Sequence, residues 1–147
     1  MDLLSTDLNT LDISRPLIKG GLYTLRIDKA EIGKANSGKE KIVLTLKTTV
    51  PATSDKGKPV EAGLTLGDSV MLEPSGNATV HIVSRNVAAL IQSAGGVKGA
   101  TLKNAATWVP QLTGKTVTAQ VDLEPESERD GRRFDARNNI RRYVKKA

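Results

Sequence analysis

Cysteine is absent from the 147 residues, which removes any disulfide framework, any thiolate zinc site and any thiol nucleophile, and fits a reducing compartment. Histidine occurs once, as His81. A metal site built on paired imidazoles is therefore excluded, and a Ser-His-Asp arrangement would have to use that single ring. Its neighbours Val80, Ile82 and Val83 mark it as an ordinary strand or pre-helix position. Only Tyr23, Trp108, Phe134 and Tyr143 are aromatic. No apolar run approaches the roughly 20 residues that span a bilayer, and residues 1–10 lack both the basic start and the unbroken apolar stretch of a secretory signal. The expectation is a cytoplasmic protein that needs neither membrane nor cofactor. No nucleophile, base and orienting group can be assembled, so no enzyme is expected.

What the chain does have is positive charge in one place. The net charge is +6. Residues 129–147 hold eight basic side chains against two acidic ones, an excess equal to that of the whole chain, so residues 1–128 are neutral. Such a cluster attracts polyanions, nucleic acid foremost. A chain of this length can enclose a core without staples. One domain is expected, over residues 20–147, preceded by an arm over residues 1–19. Leu3, Leu4, Leu8, Leu11 and Ile13 in that arm point either to self-association, as a homo-oligomer, or to partner docking.

Residues 22–32 alternate Tyr23, Leu25 and Ile27 with Thr24, Arg26 and Asp28, the period of a half-buried strand. After a Gly- and Lys-rich turn, residues 41–50 repeat the pattern with Ile42, Leu44 and Leu46 on one face. The pair reads as a β-hairpin. A long loop is expected over residues 51–67 and a short strand over 69–73. Ser84 is a good N-cap for a helix to about Ala94, with Val87, Leu90, Ile91 and Ala94 on one side. Gly95-Gly96 stops it. Residues 97–110 read as irregular, 114–123 as a strand, and Asp130-Gly131 as the tight turn into a closing strand over 132–144. Strand, strand, strand, helix, strand, strand is the order of an OB-fold, a five-stranded barrel with a helix between its third and fourth strands.

The segment from Gly33 to Glu40, GKANSGKE, nearly matches a phosphate-binding loop but fails twice. Glu40 replaces the magnesium-holding hydroxyl, and the segment joins two strands where the motif needs a strand and a helix. As a hairpin tip carrying Lys34, Lys39 and Lys41, with Lys47 further along the second strand, it suits contact with phosphates. Asp122, Glu124, Glu126, Glu128 and Asp130 lack the ligand order of a calcium loop and read as a solvated tip. Asn77-Ala78-Thr79 fits a glycosylation sequon, which carries no weight without a secretory signal.

Taken as an unbroken strand, the C-terminal segment places Arg133, Asp135, Arg137, Asn139, Arg141, Tyr143 and Lys145 on one face, with Phe134, Ala136, Ile140 and Val144 on the other. The first face is a ladder of cations with one aromatic, able to neutralise successive phosphates and stack a base. Tyr23 and Phe134 share parity with buried neighbours and read as core. Trp108 reads either as a stacking platform or as a plug over the barrel end. With so few aromatics, binding would rest on electrostatics and weaken steeply with salt.

Several short stretches carry a resemblance: Gly21-Leu22-Tyr23 leading to Lys29-Ala30-Glu31, Ser37-Gly38-Lys39 before Ile42-Val43-Leu44, the helix ending in Gly95, Leu112-Thr113-Gly114-Lys115, and Arg137-Asn138-Asn139-Ile140. On these the chain resembles a family of uncharacterised bacteriophage proteins that look like OB-fold single-stranded DNA-binding proteins. The resemblance implies non-catalytic coating of single-stranded DNA in phage replication or recombination, in the host cytoplasm. The chain departs from better-known members of that class in ending on Arg141-Arg142-Tyr143-Val144-Lys145-Lys146 in place of an acidic partner-recruiting tail. The competing expectation is a phage structural or protein-interaction module whose basic strand docks on an acidic partner.

Overall fold

The computed structural model describes residues 4, 7–9, 17–74, 76 and 79–145, without the side chains of Arg129 and Phe134. The core role expected of Phe134, the sequon residues Asn77 and Ala78, and most of the arm lie outside the described set; Leu4 and Leu8, within it, are exposed. The chain forms β1 (Gly21–Lys34), β2 (Glu40–Thr48), a small hairpin of β3 (Ala52–Thr53) and β4 (Pro59–Val60), and β5 (Thr65–Met71). Helix α1 (Val80–Ser93) follows, then the one-turn α2 (Ala105–Trp108) running into a 3-10 turn over Val109–Leu112. The remainder is β6 (Thr116–Glu124), a second small hairpin of β7 (Ser127–Arg129) and β8 (Arg132–Phe134), and β9 (Arg137–Val144).

Five of these strands form one sheet in the order β5-β2-β1-β6-β9, with every neighbouring pair antiparallel. The long β1 makes the closure work. Its register shifts between Ile27 and Lys29, so that Asp28 is an extra residue. A bulge of this kind bends a strand. The half before it pairs along β6, from Gly21↔Val121 to Arg26↔Thr116, while Leu25 to Ile27 already pair with β2, and the half after it continues along β2, from Lys29↔Thr45 to Lys34↔Glu40. The inward set accordingly changes parity, from Leu25 and Ile27 to Ala30. Ile42, Leu44 and Leu46 of β2 and Val117, Ala119 and Val121 of β6 alternate into the same core.

Alternating directions around the sheet leave β5 and β9 parallel to one another, their edges facing across a seam. Tyr143 Oη donates to Asp68 Oδ2 at 2.6 Å across it, and α1 packs against both strands and β6. The result is a nearly closed, OB-like five-stranded barrel, as the order of elements predicts.

The helix starts earlier than expected, at Val80, because Thr79 is the N-cap: its hydroxyl accepts from the Ile82 N–H at 3.3 Å. Val80 and Ile82 face solvent, and the buried stripe runs Val83, Val87, Leu90 and Ala94. At its far end the buried Ser93 hydroxyl donates to Thr118 O and accepts from Thr118 N–H, at 3.0 and 2.8 Å. This pins the helix to β6. The stretch 97–110, expected to be irregular, contains α2, and the loop over 51–67 contains β3, β4 and the start of β5. Ile18 is fully buried. Both its backbone groups bond the Asn138 amide, at 3.0 and 2.8 Å, and it bridges to Ser54. The last residues of the arm are thus built into the barrel.

Candidate nucleic-acid interface

The outward positions of β1, β2 and β5 make a shallow face. Register places Lys41 beside Met71 and Gly33, Val43 beside Ser69 and Glu31, Thr45 beside Gly67 and Lys29, and Lys47 beside Thr65 and Arg26. Gly33 is required there: a Cβ on it would fall 2.9 Å from a Val43 methyl. At the tip, Ala35 N–H donates to Lys39 O and Gly38 N–H to Ala35 O, at 2.8 and 2.9 Å, with Gly38 at φ +83°. This is a compact three-residue hairpin connection, and it has no helix to complete a phosphate-binding loop.

The cations on this face differ in their partners. Lys47 reaches Asp28 Oδ2 at 3.1 Å and Arg26 reaches Asp28 Oδ1 at 2.8 Å. The hydrogen bonds from Lys47 and then Arg26 hold the Asp28 carboxyl below its usual range. Lys29 lies 3.5 Å from Glu31. Lys34 and Lys39 are exposed, Lys41 is half-buried, and none of the three has a carboxylate partner among the described residues.

The C-terminal ladder departs from its expected form in three ways. Residues 132–144 are two strands, since the chain breaks at Asp135-Ala136, so Arg133 sits on β8, away from the β9 row. Within β9 the register passes from Val121↔Ile140 to Gln120↔Arg142, making Arg141 a bulge and reversing the parity beyond it. Finally, the guanidinium groups are already met: Arg133 by Glu126, Arg137 by Glu124 at 2.8 Å, and Arg141 by Asp122 at 3.4 Å. The carboxylates read as a solvated tip are in good part the counter-ladder to these arginines. Among the described residues none of them converge into a group of three or more that could hold a metal ion. Lys145, past the end of β9, is exposed.

Both aromatics proposed for base stacking are inside. Trp108 is 2% exposed and its Nε1 donates to Thr101 O at 2.8 Å, so its ring offers no open face to a base. Tyr143 is 8% exposed, turned inward by the bulge at Arg141. Burial, the neighbouring Asp68 charge and the hydrogen bond to it all push its phenol pKa far up. Burial likewise raises the Asp68 carboxyl, against smaller opposing contributions from the Tyr143 and Ser69 hydrogen bonds. Residues 5–145 match the family described as "Protein of unknown function (DUF669)". The chain belongs to that family. The DUF669 match runs through every strand, both helices and all three hairpins. No curated protein matches the chain.

Sequence reasoning passed over Lys29 and Arg142 in this DUF669 chain. Lys29 shares the outer face because of the bulge at Asp28. Arg142 points outward beside Gln120 because of the bulge at Arg141. Each bulge leaves the same trace in the sequence, two consecutive polar residues between apolar ones: Ile27-Asp28-Lys29-Ala30 and Ile140-Arg141-Arg142-Tyr143.

Proposed function

We propose that the protein is a non-catalytic, sequence-tolerant binder of single-stranded DNA, acting in phage replication or recombination as its resemblance implies. The observation that carries this reading is the trio Lys34, Lys39 and Lys41, cations without carboxylate partners among the described residues, at the hairpin tip and outer face of an OB-like barrel. OB barrels bind oligonucleotides across this face and the loop between their first two strands. With no aromatic on the face, affinity rests on phosphate neutralisation, while the Val43 and Met71 side chains offer bases an apolar floor. Arg137 and Arg141 of β9 are secondary, since each must exchange a carboxylate for a phosphate. The same pairing weakens the alternative of a basic strand docking on an acidic partner, because Asp122, Glu124 and Glu126 already fill that role.

Fluorescence anisotropy of labelled oligo-dT and of duplex DNA, each at two salt concentrations, tests the proposal. Tighter binding of oligo-dT, weakening with salt, supports it. Equal or absent binding of the two at low salt overturns it.

A further inference from the structure

The seam between β5 and β9 is not filled. Under α1 it leaves a cavity of about 250 Å³, below the roughly 300–1,000 Å³ typical of drug-sized ligands and so suited to a single flat heterocycle. Val70, Val83 and Tyr143 form its buried floor; Asn86 of α1 and Arg142 of β9 are exposed where it opens. Asp68 contributes a carboxylate to its lining. Asp68 occupies an inward position of β5 between the buried Leu66 and Val70, where the barrel alone would be served by another apolar residue. A carboxylate has about four acceptor positions; the Tyr143 hydroxyl and the Ser69 backbone N–H occupy two, which leaves about two.

We propose that this cavity receives one unstacked guanine base of a bound single strand, with Asp68 accepting its two adjacent N–H donors and Arg142 meeting a neighbouring phosphate. The inference rests on the single-stranded DNA reading and adds a base preference to it. Guanine is singled out by donor order along its Watson–Crick edge. Its ring N–H and exocyclic amine are adjacent, matching two carboxylate oxygens. Thymine sets its one N–H between two carbonyls that repel a carboxylate, and adenine and cytosine each place a ring acceptor next to the amine. Arg142 has no carboxylate partner among the described residues, unlike its neighbour Arg141, and is free to take a phosphate. Reading a splayed base by its Watson–Crick edge in a pocket is an established strategy for single strands.

The test compares labelled oligo-dT with an oligonucleotide of equal length carrying one central dG, alongside thermal-shift measurements with dGMP and dTMP. The dG oligonucleotide should bind roughly fivefold tighter or better, the scale of one bidentate base contact, and dGMP alone should raise the melting temperature. Asp68→Asn, whose side-chain oxygen can still accept from Tyr143, should reduce the dG-to-dT affinity ratio to about one and abolish the dGMP shift. Should that variant not fold, Arg142→Ala, a change at an exposed position, must lower both readouts. If the wild-type chain binds neither oligonucleotide but is stabilised by dGMP alone, the strand-coating reading fails and the cavity assignment stands. Equal affinities with no dGMP shift, or a preference that survives in Asp68→Asn, overturn the assignment and leave Asp68 as a charge that guards the strand edge.

Discussion

At the scale of single residues, the Tyr143–Asp68 hydrogen bond is the contact with the clearest energetic consequence. It joins two edges that share no ladder, and it partners a carboxylate that burial has driven toward its neutral form. Tyr143→Phe keeps the ring and removes the donor. It should cost about 1–3 kcal/mol, the penalty for leaving a buried acceptor short of a partner, read as a lower urea midpoint with an unchanged slope. Asp68 also sets a pH dependence. Its folded pKa is raised, so in the window between the ordinary carboxylate value and the raised one the native state holds a proton that the unfolded state has lost. Stability from this group therefore falls as pH rises through that window. Asp28 has the opposite shift and the opposite slope. Comparing the chain with Asp68→Asn isolates Asp68, whose cavity it shares with Tyr143, Arg141 and Arg142. The melting temperature of the variant relative to the parent should be highest at neutral pH and should drop as pH is lowered toward about 4. A constant difference would show that Asp68 titrates normally.

At the scale of elements, the strands with clean alternation were legible because one face of each is core: β2 with Ile42, Leu44 and Leu46, and β6 with Val117, Ala119 and Val121. So was the helix, from Val87 and Leu90. Its first turn was not, because Val80 and Ile82 are apolar yet exposed, and Thr79 rather than Ser84 supplies the cap. The C-terminal ladder failed for a different reason. A period-two reading assumes an unbroken strand, and one extra residue, Arg141, moves Tyr143 from the surface to the core. Nor can charge counting reveal that Asp122, Glu124 and Glu126 lie opposite Arg141, Arg137 and Arg133 once the hairpin folds back. Exposed pairs of this kind contribute about 0–1 kcal/mol each. Replacing Arg137 and Arg141 together by Ala should therefore shift stability by no more than about 1–2 kcal/mol on that same basis, and should weaken oligo-dT binding less than replacing Lys34, Lys39 and Lys41. A larger loss from the arginine pair, measured by anisotropy in the same buffer, would return the contact surface to β9.

At the scale of the whole molecule, a net charge of +6 that seemed to reside in the last residues is redistributed by folding. The barrel brings acidic residues of β6 and its following hairpin against the arginines, and leaves cations without carboxylate partners at the opposite end, where β1 turns into β2. Lys34, Lys39 and Lys41, which can meet a polyanion without giving up a carboxylate, therefore lie where an OB barrel uses them. Family membership spans this whole arrangement. The salt dependence of oligo-dT binding, measured for the parent chain and for Lys34→Ala/Lys39→Ala/Lys41→Ala, tests this most directly. Each phosphate neutralised on a single strand contributes about −0.7 to the slope of log K against log salt. The account predicts that the triple variant loses most of the affinity and that its slope becomes shallower by about 2, with its melting temperature unchanged. A variant that keeps the parent's affinity and slope would contradict it.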